Sequence, residues 1–289
     1  MLDLAERGAT EGDLGRWECL LHQTGLRHYS TVMKSSSLKL VLPLVLLAGS
    51  VVAIAIAQQD SDKPLKALLV TGEGYHDYEA QKKIITAGVS ERMAIDWTIL
   101  HHKTADEAKV DLSKADWAAA YDVVVYNICH AKETDKAFIE SVVATHEAGK
   151  PMVAIHCSMH SYHWNIPAEE GEVRAWNRLL GVYSKDHGPK AAITVTKVAE
   201  KADHPAIKDL PDGWKTPEGE LYNIQKVYTA DVLAIGNNGK VENPVIWTNK
   251  SKDARVFATT IGHHNSTMQT PEFLDLITNG IRWAVSDAE

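Results

Sequence analysis

Residues 153–164, VAIHCSMHSYHW, place His156, Cys157, His160 and His163 within twelve positions, directly behind an apolar run. Three chemistries suit such a segment. Imidazole and thiolate bind transition metals, and His156 and His160 stand four residues apart, on one face if the segment is helical. A divalent metal such as zinc would then be the cofactor, although the chain carries neither an HExxH nor a CxxC pattern. Imidazole also titrates near neutrality, so several on one crevice suit proton transfer at a sugar hydroxyl or next to a carbonyl. Finally, Cys157 follows an apolar run, where some α/β enzymes carry a nucleophile on a strained elbow. That turn favours small residues two positions either side, and here they are Ile155 and Met159. The flanks argue for Cys157 as a small buried hydrophobe instead.

The remaining histidines are distributed in a way that matters more than their number. His76 lies in TGEGYHDY, with Asp77 beside it and Glu73 nearby; His130 follows YDVVVYNIC; His263 and His264 follow RVFATTIG. Each of those runs reads as a strand, and in an open α/β sheet the ligand crevice lies outside the carboxyl ends of the strands. Four strands thus deliver histidine to one edge. His187, in SKDHGP, is expected in a loop that reaches it. His76, His156, His187 and His263 are the candidate catalytic groups. Tyr75, Asp77, His130, Cys157, His160, Trp164 and His264 are the candidate substrate contacts, with Tyr75 and Trp164 as stacking surfaces for a sugar ring. His101, His102, His146 and His204 read as solvated or structural, His146 on a helix face.

The elements that must position these groups follow from pattern. KALLVTG (66–72) is an apolar run ending in Gly, as in a strand buried on both faces. A helix is predicted from Glu79 to Val89, and further strands at 95–100, 121–127 and 151–156. Thr134 to Glu147 carries Phe138, Ile139, Val142 and Val143 at helical spacing, with Gly149 as its stop. Alternation of this kind implies an α/β fold with a doubly wound, mostly parallel sheet. The second half is more mixed: an alternating strand at 191–198, a long Pro-containing loop at 203–222, and short strands in VLAIG, PVIWT and RVFATTIG. A last helix has Thr270 as N-cap and Pro271 at its first position.

The chain has 289 residues, 45% hydrophobic and 24% charged, and a formal charge of −8. That is a globular composition, and the mild acidity without a basic stripe argues against a nucleic-acid partner. Residues 33–57 read as an export signal: Lys34 and Lys39 precede an apolar stretch, and Ala55-Ile56-Ala57 is a small-x-small cleavage site. The expected location is periplasmic or extracellular, without a stable membrane span after cleavage. The alternative is an anchor at 40–57, which Pro43, Gly49 and Ser50 weaken. Residues 1–32 read as a disordered extension, or one lying upstream of a true start at Met33. A linker at 58–64 then leads to one domain over 65–287. Its two cysteines, Cys129 and Cys157, do not make a disulfide framework, though export permits a bridge.

Taken together, LVTGEGYHDY, YDVVVYN, GKPMVAIHCSMHSYHW, WNRLLGVYSKDHGP, HPAIKDLP, GELYNI, NPVIWT, RVFATTIGHH and PEFLDLITNGIRWA resemble the trehalose-utilisation (ThuA-like) family over about Lys66 to Ala284. The resemblance implies a flavodoxin-like three-layer fold, similar to class I glutamine amidotransferases. It also implies a part in disaccharide utilisation, on trehalose or a 3-keto-disaccharide, with a small carbohydrate as ligand and a homo-oligomer as one assembly. Carried over by position, the family's site involves His76, His156, His187 and His263. A hydrolase, lyase or isomerase acting on a sugar is the leading expectation. A non-catalytic carbohydrate-binding or accessory module and a cysteine-dependent amide hydrolase are the alternatives.

Overall fold

The computed structural model describes residues 63–167 and 169–286; the expected extension at 1–32, the signal at 33–57 and most of the linker at 58–64 lie outside the described residues. The first half runs β1 (Leu65–Gly72), α1 (Tyr78–Ser90), β2 (Ile95–His102), α2 (Ala105–Leu112), β3 (Val123–Ile128), α3 (Lys136–Glu147) and β4 (Met152–Ile155). A 3₁₀ turn over His156–His160 leads to α4 (Ala175–Leu180), β5 (Val182–Lys190), β6 (Thr194–Lys197), β7 (Trp214–Lys215) and β8 (Glu220–Val227). The chain closes with β9 (Asp231–Asn237), β10 (Glu242–Ser251), β11 (Ala254–Thr259), the short α5 (Asn265–Met268) and α6 (Pro271–Val285).

The apolar runs form strands because both of their faces find a core. Along β1, Ala67 and Leu69 enter one core with Ile85 and Val89 of α1 and with Phe273, Ile277 and Ile281 of α6. Leu68 and Val70 enter the other, with Leu112 of α2, Phe138 and Val142 of α3, and Trp176 and Leu179 of α4. Helices therefore cover both faces of the sheet, and each fully buried aliphatic side chain contributes about 1.5–3 kcal/mol. The predicted punctuation also holds. Gly149 follows α3 at φ +105° and Thr270 accepts from the amide of Phe273 at the start of α6, whereas α3 begins at Lys136 rather than Thr134, with Asp135 as its cap accepting from the amides of Ala137 and Phe138.

The strand order is β2–β1–β3–β4–β11–β10–β9–β6–β7, with β5 and β8 paired as a separate ribbon. From β2 to β11 the pairings are parallel. From β11 to β7 they are antiparallel, which corrects the expectation of a mostly parallel sheet to a mixed one. The reason is local: β9, β10 and β11 are joined by tight turns, and a short connection admits only antiparallel neighbours. Two further corrections concern the middle of the chain. The expected loop at 203–222 contains β7 and the first residues of β8, and His187 lies on β5 rather than in a loop.

Candidate functional site

The strained position after β4 is His156, not Cys157. His156 adopts φ +47°, in the left-handed region, which costs a residue with a side chain about 1–2 kcal/mol. Centred on His156, the residues two positions away are Ala154 and Ser158, the small flanks an elbow needs. Ser158 braces the turn: its hydroxyl donates to the Tyr126 carbonyl at 3.0 Å and accepts from the Ile128 amide at 3.3 Å. Gly262 leaves room beside it, because a Cβ there would lie 3.0 Å from Ile155 Cγ2 and 3.5 Å from His156 Cβ. The Cys157 sulfur is bonded to Cys129, joining the segments that follow β3 and β4. A bonded sulfur next to, not at, the elbow removes the thiol-nucleophile reading.

The elbow delivers a buried imidazole in one tautomer. His156 Nδ1 lies 2.6 Å from the Thr260 carbonyl, and a carbonyl accepts only, so Nδ1 holds the proton. Nε2 is left with its lone pair, 3.3 Å from the Tyr222 hydroxyl and 3.8 Å from Glu220 Oε2. His76 arrives from the loop after β1. There Gly72, at φ +124°, passes so close to β2 that a Cβ would sit 1.9 Å from the His102 carbonyl, and Glu73 and Tyr75 are also left-handed. His263 arrives from the end of β11. One ring nitrogen each from His76, His156 and His263 lies within 4.8 Å of the other two, close enough for one divalent ion. Glu220, the first residue of β8, stands beside them, 3.4 Å from His263 Nδ1 and 3.3 Å from His187 Nδ1.

Burial sets the charge state of this group. It pushes the His76 imidazole down to about 4, helped by the neighbouring His263, and holds His156 well below the usual histidine range. Burial likewise takes His160 down to about 2, with His163 and His187 adding to the effect. Burial pushes the Glu220 carboxyl up, but contact with His263 and the imidazoles of His187 and His76 outweighs it and leaves the group below its ordinary value. At neutral pH the site therefore presents His76, His156 and His160 as neutral imidazoles beside the ionised Glu220 carboxylate.

His76, His187, Glu220 and His263 line a cavity of about 370 Å³, together with Tyr75, Trp164, His160 and the Cys129–Cys157 bridge, and the buried His156 packs against His76 and Tyr222. His160 is fixed by a 3.0 Å bond to the Ser184 hydroxyl and by stacking on Tyr222, with ring centroids 4.1 Å apart. Trp164 meets His160 edge-on at 4.6 Å, while Tyr75 stands 71% exposed at the mouth. The structure thus brings together His76, His156, His160, His187, His263, Tyr75, Cys157 and Trp164. Three expected residues are placed elsewhere. His130 points into the core, its Nδ1 2.9 Å from the Tyr162 hydroxyl, and burial takes it down to about 3. Asp77 caps α1 and accepts from Asn265 Nδ2 at 2.9 Å, and His264 caps α5; both face a smaller neighbouring cleft. Sequence reasoning missed Glu220, Tyr222, Ser184 and Lys190. The signal available for Glu220 was GELYNI, hidden behind the prolines of the preceding segment.

Comparison with known proteins places the fold. The ThuA family model, described as trehalose utilisation, matches residues 66–284. A ThuA-like protein from Parabacteroides merdae superimposes with a TM-score of 0.63 at 18% identity, covering 78% of this chain and 91% of that one. A β-galactosidase from Rahnella sp. R3 shares the fold with a TM-score of 0.50 at 15% identity; 82% of this chain matches 33% of that enzyme. No curated protein matches the chain in sequence.

Proposed function

The chain belongs to the ThuA, trehalose-utilisation family, and from that premise we propose that it binds and acts on a sugar or keto-sugar in the histidine-lined cavity. The observation that carries this reading is the convergence of His76, His156, His263 and Glu220 on one cavity at the carboxyl ends of the parallel strands. A cavity of about 370 Å³ falls within the size range of small-molecule sites. Tyr75 and Trp164 supply aromatic faces for a sugar ring, and Lys190 and Asn165 supply polar contacts for hydroxyls. A neutral His156 with its Nε2 lone pair turned inward accepts a proton from a hydroxyl or from a carbon next to a carbonyl. Glu220 stabilises the imidazolium that forms, and His76 and His263 hold the second proton position.

Substrates of trehalose or 3-keto-disaccharide type follow from the family description together with this acid–base set. The doubly wound, flavodoxin-like winding belongs to the same proposal and is supported by helices on both sheet faces. So does export to the periplasm or beyond: the Cys129–Cys157 bridge fits an oxidising compartment. Among the described residues no helix is long and apolar enough to cross a membrane.

The test is incubation of the full chain with trehalose and with its 3-keto derivative, followed by mass spectrometry and equilibrium binding. Conversion that His156→Asn abolishes is the expected result. Binding without conversion would leave a carbohydrate-binding module, and neither binding nor conversion would overturn the reading.

A further inference from the structure

We propose that His76, His156 and His263 together hold one divalent transition-metal ion, with an open coordination position toward the cavity. This goes beyond the sugar reading and rests only on its cavity: with an ion bound, the His156 Nε2 lone pair is spent on the metal and the Glu220 carboxylate is left as the proton acceptor. Three features of the site carry it. The ring nitrogens lie within 4.8 Å of one another, and they come from three separate strand ends rather than from one flexible loop. Three ligands about 2.1 Å from a tetrahedral ion would stand roughly 3.4 Å apart. Small side-chain rotations therefore bring the set into coordination distance.

The surroundings are those of a ligand set. The Nδ1 proton of His156 is held at 2.6 Å by the Thr260 carbonyl, which fixes the ring and directs Nε2 inward. Metal-binding histidines characteristically spend their second nitrogen on a carbonyl or carboxylate in this way. The Tyr222 hydroxyl at 3.3 Å is a long contact that an ion would replace. Glu220, 3.8 Å from His156 Nε2 and 3.4 Å from His263 Nδ1, places a carboxylate beside the cation. His156 holds its left-handed backbone, and strain of that kind persists where the surrounding structure fixes a functional group.

The donor types select the metal. Three imidazoles suit zinc, cobalt, nickel, copper or iron, whereas calcium and magnesium call for oxygen ligands. Three protein ligands with a fourth position open is the arrangement of a reactive rather than a closed structural zinc site. Trp164 and Tyr75 line the same cavity as His76 and His263, and a hydroxy-ketone or vicinal diol held there would offer oxygens to the ion.

The test is metal uptake by the full chain after chelator treatment, with zinc and cobalt(II) as probes. The parent is expected to take up one ion per chain more than His76→Ala or His263→Ala, and to melt at a higher temperature with zinc than without. Removing an orienting partner alone costs a metal site about 10–100-fold in affinity, so loss of a ligand is expected to cost roughly 100-fold or more. Cobalt(II) should develop tetrahedral visible absorption in the parent and not in those variants. His156→Asn, which tolerates the left-handed backbone, is a third probe, with circular dichroism to confirm folding; His204→Ala, remote from the site, should keep parental stoichiometry. Equal uptake by parent, His76→Ala and His263→Ala would overturn the proposal, as would no uptake by the parent. If metal-free chain still binds the keto-sugar in that case, the sugar reading stands while the metal site falls.

Discussion

Two sets of buried histidines occupy this molecule, and their partners separate them more sharply than their burial does. In the interior, His146 donates from Nδ1 to the Lys150 carbonyl and meets the Tyr126 hydroxyl through Nε2, both at 2.9 Å. His130 pairs with Tyr162, and His163 Nε2 donates to the Met159 carbonyl at 2.7 Å. At the sheet edge, His76, His156 and His263 converge on one another and on Glu220 over a cavity. Burial lowers the basicity of members of both sets: His146 and His163 fall to about 4, as does His76. A depressed histidine therefore does not mark a site by itself. Convergence on shared space does.

The interior set should dominate stability, and acid exposes it most strongly. His130 and His146 have folded values of about 3 and 4 against an ordinary 6.5. Below pH 6.5 the unfolded chain binds more protons than the folded one. The stabilisation is complete above 6.5 and is lost as pH falls toward 4. With about 1.4 kcal/mol per unit, the interior histidines together contribute several kcal/mol across that window. Urea unfolding at pH 7 and pH 4.5 should show the loss, and replacing His146 with Gln should flatten it.

The bridge between Cys129 and Cys157 ties the elbow to the end of β3 across 28 residues of sequence. Closing a loop of that length is worth about 3.6 kcal/mol in the chain-entropy account. Reduction should lower the melting temperature of the parent and leave that of a Cys129→Ser/Cys157→Ser variant unchanged. A smaller effect is expected at the elbow. Gly262→Ala introduces a methyl 3.0 Å from Ile155 and 3.5 Å from His156 at φ +131°. It should cost about 1–2 kcal/mol and weaken sugar binding by more than its stability loss explains. Parental binding in that variant would mean that the exact placement of His156 is unimportant.

Much of this was legible in the chain. β1, β3 and β4 carry continuous apolar runs because both faces are covered, and α6 announces itself through Thr270, Pro271 and a full apolar stripe. α2 was not legible, because it buries Ala108 and Leu112 alone and its pattern has almost no period. β5 and β8 were hidden for a related reason: most of β5 is exposed, and the prolines around β8 imitate a loop. At the site, histidines behind strands were readable from the topology rule for α/β sheets. Asp77 and His264 turn out to cap helices, a role that residue types able to bind ligands also fill and that the sequence pattern does not separate from binding. The elbow lay one residue from where the sulfur drew attention, and Glu220 converges only through the ribbon pairing of β5 with β8.

The central claim is that the edge histidines carry function and the interior ones carry the fold. Binding of the 3-keto-disaccharide and urea unfolding, measured side by side on His263→Ala and His146→Ala, test it most directly. His263→Ala should lose binding by roughly ten-fold or more while staying within about 1 kcal/mol of the parent, since a hydrogen-bonding contact is worth that much. His146→Ala should lose about 3 kcal/mol through a cavity and two orphaned partners, yet bind the sugar normally while folded. Parental binding by His263→Ala, or loss of binding by folded His146→Ala, would contradict the account.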